Sequence, residues 1–277
     1  MEKIINTVLF PTDFSDRANS ALGDVIKMSQ HLNSKLILFH SYARPVPKNC
    51  NFLDTNNSLL HKRERHIEEE FSMLKEIFPE LKSIEVNYVK SIGLLVDKVK
   101  KAVNDYQVDL ILMPTKGARG FEEFWGSNTH KVAKIVKVPV LALPDGFQIQ
   151  QIPNIGIATN FDSHSNLQFL DIVKQIADAY NSQVHIVRVH TKEKPALKPK
   201  EVEIFDKIKH IFKKTDFTLD YSLHNDVESG IIDFCEKENI QLVCVLPTKR
   251  NFLEELFHES LTQKLTYHLK LPLLILN

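Results

Sequence analysis

The sequence predicts an α/β protein made of two tandem, doubly wound parallel-sheet domains, and three observations predict it. Short apolar runs bounded by turn residues alternate with stretches of helical period, the pattern of a mostly parallel sheet covered on both faces. The chain has 277 residues, enough for two ordinary cores. Finally, the stretch Asp109 to Leu143 (DLILMPTKGARGFEEFWGSNTHKVAKIVKVPVLAL) returns as Leu242 to Leu276 (LVCVLPTKRNFLEELFHESLTQKLTYHLKLPLLIL), the mark of a duplication. The boundaries expected from it are 1–145 and 152–277, with PDGFQIQQIP, residues 144–153, as linker.

Taken in order, Asn6 to Phe10 reads as a short apolar strand ended by Pro11-Thr12-Asp13-Phe14-Ser15. Ser15 is a fair N-cap for a helix whose Ala18, Ala21, Leu22, Val25 and Leu32 share one apolar face. Lys35 to Tyr42 is nearly all apolar, as a buried parallel strand should be. Residues 43–57 carry Pro45, Pro47 and several asparagines and read as an irregular loop. A charged helix follows from about Ser58 to Phe78, with Leu60, Ile67, Phe71, Leu74 and Phe78 as its stripe. Ile84 to Val89 is the third strand, Gly93 to Tyr106 a helix, and Leu110 to Met113 the fourth strand. Beyond a loop with glycines at Gly117, Gly120 and Gly126, Ser127-Asn128-Thr129 offer capping side chains for a short helix, His130 to Val136. A last strand, Val138 to Leu143, closes the unit.

The second half follows the same plan. Strands are expected at Ile155 to Thr159, Val184 to Val189 and Phe217 to Leu223, and helices at Glu201 to Lys213 and Val227 to Glu238. In the first of these helices Val202, Ile208 and Phe212 are expected to point inward, after a basic, proline-containing loop at 191–200. Ligands of open α/β sheets sit beyond the carboxyl ends of the strands, where the strand order reverses. If strands one and four are neighbours there, Pro11, Thr12 and Asp13 share a crevice with Met113 and the glycine loop. A strand, a glycine loop and a helix start make an anion cradle, because unpaired N–H groups and the helix dipole point at the loop. In the second copy Gly117, Gly120 and Gly126 become Arg250, Leu253 and Glu259, and Asn160 stands where the first half has Asp13. One copy is built to hold an anion and the other is not.

Composition narrows the function further. Thirty-five Lys and Arg balance 35 Asp and Glu, so no overall field draws the chain to nucleic acid or to an acidic membrane. No apolar run approaches the roughly 20 residues of a membrane helix, and the first residues do not read as a secretory signal. Cys50, Cys235 and Cys244 are too few and too scattered for a disulfide framework or a zinc site. His185 and His190 fall on opposite faces of their strand, which argues against a metal pair. A cytoplasmic protein is expected. No side chain has the neighbourhood of an activated nucleophile, and no carboxylate pair is placed for acid–base work, so catalysis is not expected beyond weak, incidental nucleotide hydrolysis.

The turn PTDFS, the second strand ending LFHSY and the segment KGARGFEEFWGSNT resemble the universal stress protein family in its tandem, two-domain form. The resemblance runs through the whole chain at the level of element order. It implies a Rossmann-like fold of the adenine-nucleotide α-hydrolase type and, in the first domain, a site for ATP or a related ADP or AMP. Carried over position by position, Asp13 and the backbone near Ser41 meet the adenine and ribose. Gly117, Gly126, Ser127, Asn128 and Thr129 hold the phosphates. The family's nucleotide binders carry G-x-x-G, nine residues, then G-[ST]. Here the first glycine is Pro114 and the spacer before Gly126-Ser127 has eight residues. Proline fixes φ and removes an N–H donor, while Lys116 and Arg119 supply compensating charge.

Two functions follow from the resemblance: a nucleotide-sensing regulator of the stress response, or a nucleotide-free scaffold that acts through protein contacts. In single-domain members two copies pair by their last strands. Here Val138 to Leu143 and Leu271 to Leu276 are expected to run antiparallel within one chain as an intramolecular pseudo-dimer. Dimerisation of the whole chain stays open. Bland roles compete at each position: Asp13 as a turn or cap residue, the glycines as turn formers, and Trp125 as a side chain packed under the loop.

Overall fold

The computed structural model describes residues 3–44, 54–115, 127–149, 151–159, 167–190, 199–245 and 271–276. Among them a ten-stranded sheet runs in the order β3-β2-β1-β4-β5-β10-β9-β6-β7-β8. The first five strands are β1 (Thr7–Pro11), β2 (Lys35–Tyr42), β3 (Val86–Ile92), β4 (Leu110–Pro114) and β5 (Val140–Leu143). The second five are β6 (Asn154–Ala158), β7 (Gln183–His190), β8 (Phe217–Leu223), β9 (Leu242–Val245) and β10 (Leu273–Ile275). Within each five the pairing is parallel, and each five reverses direction beside its first strand, between β1 and β4 and between β6 and β9. The fives meet where β5 and β10 run antiparallel, with Leu141 opposite Leu274. Leu141 and Leu274 are buried, so this seam belongs to the core.

Helices cover both faces. On one lie α1 (Asp16–His31), α2 (Asp54–Ile77), α5 (Leu170–Tyr180) and α6 (Pro199–Ile211), packed on Val8, Leu36, Leu38, Leu112, Ile155 and Ile186. On the other lie α3 (Leu95–Asp105), α4 (Ser127–Ile135) and α7 (Val227–Lys237), packed on Leu9, Ile37, Ile111, Val140 and Val243. The alternation of buried faces along each strand is the period of two made visible.

Most expected elements lie within a few residues of their observed bounds, with four differences. First, α2 starts at Asp54 instead of Ser58, inside the expected loop. Second, Gly93 ends β3 at φ +139°, where a β-carbon would meet the Lys98 side chain at 2.4 Å, so α3 starts two residues later than expected. Third, Val202 is exposed while Ile204 is buried, because Glu201 turns inward to meet Arg188 at 2.7 Å. The inward stripe of α6 is therefore Glu201, Ile204, Ile208 and Phe212, and a charged member hides it from a hydrophobicity pattern.

The fourth difference concerns the repeat. Val8 pairs with Leu110 in the first half, and Ile155 pairs with Leu242 in the second. Asp109 donates its N–H to Thr7 and accepts from the Asn6 and Thr7 amides, as Gln241 does with Asn154. Leu242 thus takes the place of Leu110, one residue away from the match made through Pro-Thr-Lys. A one-residue slip would move every side chain to the other face. Leu110 and Leu112 share a core layer with Leu242 and Cys244, which shows that the strand register obeys burial and not the motif.

Candidate functional site

The carboxyl ends of β1, β2 and β4 and the start of α4 carry eight of the ten expected site residues. Pro11 ends β1, and Thr12 and Asp13 form the turn into α1. Ser41 is next to last in β2, and Met113 precedes Pro114 at the end of β4. Ser127, Asn128 and Thr129 open α4. Thr12, Met113 and Thr129 are buried, Ser41 is half-buried, and Asp13 and Asn128 are exposed. Gly117 and Gly126 lie outside the described residues, as do Gly120, Lys116, Arg119, Trp125, Asn160 and the loop 191–198. The side chain of Ser127 is likewise outside them.

The β1–α1 turn is closed by a chain of hydrogen bonds. The Thr12 N–H donates to the Phe39 carbonyl at 2.8 Å, extending the β1–β2 ladder. The Phe14 N–H donates to the Thr12 hydroxyl at 3.0 Å, and Phe14 adopts φ +62°. Asp13 Oδ1 accepts from the Ser15 N–H at 3.1 Å and from its hydroxyl at 2.6 Å. Ser15 Oγ in turn accepts from the Ala18 N–H at 3.3 Å, the N-cap bond that the sequence led us to expect. Phe14 holds a left-handed conformation that non-glycine residues seldom adopt, and these bonds around it are what keep it there. Asp13 therefore has a structural task as well as a position at the switch point.

Across the crevice, the Thr115 hydroxyl and N–H both reach the Leu143 carbonyl, at 3.1 and 2.8 Å. This gives the threonine of Pro-Thr-Lys a fold-keeping role. The expected capping trio Ser127-Asn128-Thr129 instead forms the first turn of α4. Thr129 turns inward, its hydroxyl 3.5 Å from the Pro114 carbonyl, and so ties the helix start to the end of β4. The N-terminus of α4 is thereby held beside the end of β4, and the dipole of a helix N-terminus favours an anion.

One residue of this edge was not singled out by the sequence. His40, one place before Ser41, is buried on β2 with Nδ1 2.8 Å from the Thr12 carbonyl. Burial holds it below the usual histidine range. Its position between Leu38 and Tyr42 on a buried strand was the available signal. Nearby, the Tyr42 hydroxyl donates to Glu64 at 3.0 Å, and burial together with that carboxylate pushes the tyrosine up to about 12.

The chemistry elsewhere is quiet. Cys235 and Cys244 are buried free thiols, and burial pushes Cys235 up to about 12 and Cys244 higher still. Among the described residues no group of three His, Cys, Asp or Glu side chains gathers to hold a metal ion, and no helix is long and apolar enough to cross a membrane.

A parallel sheet whose strand order reverses beside β1, with helices on both faces, defines the class as an α/β Rossmann-like fold. The sequence profile of the universal stress protein family matches residues 5–144. The chain belongs to that family. The whole architecture is similar to the crystal structure of a universal stress protein from Archaeoglobus fulgidus, at 15% identity and a TM-score of 0.72, covering 98% of each chain. It is also similar to a Pseudomonas aeruginosa protein described as functionally unknown, at 12% identity and a TM-score of 0.62, covering 99% of this chain and 93% of that one. No curated protein matches the sequence.

Proposed function

We propose that the protein is a cytoplasmic regulator of the stress response that binds ATP or a related adenine nucleotide in its first half and reports it without catalysis. The observation that carries this reading is the hydrogen-bonded Thr12–Asp13 turn at the reversal point between β1 and β4. It stands beside the Ser41 end of β2 and across from the N-terminus of α4. On this reading Pro11, Thr12, Asp13, Ser41 and Met113 form the nucleoside side. Gly117, Gly126, Ser127 and Asn128 meet the phosphates with backbone N–H groups, and Thr129 fixes the helix start. Residues 1–145 and 152–277 are the two domains, an intramolecular pseudo-dimer joined at the β5–β10 seam, with the second domain degenerate at its own crevice. Its protein clients are reached through a change in the loop after β4.

The scaffold reading has one observation in its favour. Pro114, where the family's binders have glycine, lies in the β4 ladder opposite Leu143, so the strand continues into the position where a cradle would open. Mass spectrometry of small molecules released from the purified, denatured chain separates the two. An adenine nucleotide at a substantial fraction of the protein concentration supports the sensor, and its absence after purification in nucleotide-containing buffer supports the scaffold.

A further inference from the structure

His40 lies on the face of β2 covered by α1 and α2, and is 5% exposed. A carbonyl oxygen only accepts, so the 2.8 Å contact with Thr12 means that Nδ1 carries a proton. Nε2 is buried and has no hydrogen-bond partner among the described residues. In the neutral ring it is therefore a bare acceptor, its tautomer set by the other nitrogen. The ring also carries the aromatic part of the turn: Phe14 packs on it with centroids 4.6 Å apart, and Tyr42 stacks at 6.3 Å. One imidazole thus holds both the Thr12 carbonyl and the Phe14 ring.

A proton added at Nε2 places a charge where no described residue accepts it. Burial is the largest cause that holds His40 below the ordinary histidine range, and Arg63 adds to it, while the Thr12 carbonyl, Asp13 and Glu70 oppose. From α2, the charges of Arg63 and Glu70 act on the ring, and Glu64 accepts from the Tyr42 hydroxyl. From β3, Lys90 is the register partner of His40 and is tied to Glu68 at 2.5 Å. From the turn, Asp13 is the nearby carboxylate, and its Oδ1 is what holds Ser15. A positive ring competes with Ser15 for that carboxylate.

We propose that His40 is a proton-sensing positioning residue. Neutral, it fixes the Thr12–Asp13 turn; protonated, it draws Asp13 away from Ser15 and loosens the turn. For its consequence this rests on the nucleotide reading: nucleotide affinity falls as the ring charges. A base whose folded value is depressed contributes stability that is present above its ordinary value. That stability is lost as pH falls from the ordinary value through the lowered one. The window is mildly acidic.

The test is an NMR titration of the full chain with ring-labelled histidine, from about pH 8 to about pH 5. The expected result is an Nδ1-protonated ring at neutral pH. On acidification the backbone amides of Asp13, Phe14 and Ser15 shift with the same midpoint as the ring, below that of free histidine. In His40→Gln the acid-linked amide shifts disappear; should that variant not fold, Asp13→Asn is expected to uncouple the Ser15 amide from the ring. Turn amides that stay flat while His40 titrates, or that shift unchanged in His40→Gln, overturn the proposal, as does an Nε2-protonated ring at neutral pH. Calorimetry with ATP on the same samples adds the consequence, with affinity falling in the wild type by more than in His40→Gln. No heat at any pH defeats the nucleotide reading alone, because the amide shifts decide the role of His40 without a ligand.

Discussion

Asp24 shows how far a single carboxyl can be used for architecture. It is buried on α1, and its Oδ1 accepts the Ile149 N–H at 2.7 Å, pinning the segment after β5 to the helix. Burial raises Asp24 above the usual carboxylate range, with the Ile149 bond and Lys27 opposing. A raised carboxyl favours the fold in its neutral form. Its contribution is complete below the ordinary value and is lost as pH rises through the folded one. Asp24→Asn keeps an oxygen acceptor and removes the charge. We expect the urea midpoint of the wild type, relative to the variant, to decline as pH rises from about 4 to about 7; a difference that is flat or grows with pH contradicts this. At this scale the sequence was only partly legible. Ser15 as a cap and the apolar face of α1 follow from residue type and spacing. His40 and Glu201 do not, because a polar residue on a buried face shows its purpose only through its partner, the Thr12 carbonyl in one case and Arg188 in the other.

At the scale of elements, α1 carries the argument, since the candidate site is the turn that starts it. Its N-cap bond from Ala18 is also the last link in the Asp13–Ser15 chain. Loss of an N-cap hydroxyl typically costs about 1 kcal/mol. Ser15→Ala is expected to lower stability by about that amount, and to weaken nucleotide binding by freeing Asp13. Chemical denaturation and ligand titration of one preparation check both effects; unchanged affinity would show that the turn is not part of the site. The strands β2, a nearly apolar run, and β8, an alternating one, could be read to the residue because both patterns end at turn signals. The one-residue offset between β4 and β9 could not. Pro-Thr-Lys begins four residues after Leu110 but five after Leu242, and that extra residue is invisible until the ladder partners Val8 and Ile155 are known.

At the scale of the whole molecule, the chain is two fives of strands whose last members meet antiparallel in the core. The seam is supported on its flank: Gln175 on α5 accepts from the Ile4 and Ile5 amides, and Tyr180 stacks on His31 of α1. This arrangement was legible through the resemblance to single-domain family members, which pair by their last strands, and the apolar closing strands of both copies agree with it. The proposed asymmetry of function rests on the sequence of the two copies. Glycines kept in one copy and replaced by Arg250, Leu253 and Glu259 in the other change what a backbone can approach, whatever the surrounding fold. On the proposed function the protein has two similar halves and one ligand. Isothermal titration of the intact chain with ATP tests this most directly. We expect saturable heat with a stoichiometry of about one nucleotide per chain, abolished or weakened at least about tenfold by Asp13→Ala, a loss of roughly 1.4 kcal/mol. No heat at high micromolar ATP, or two equivalent sites per chain, would contradict it.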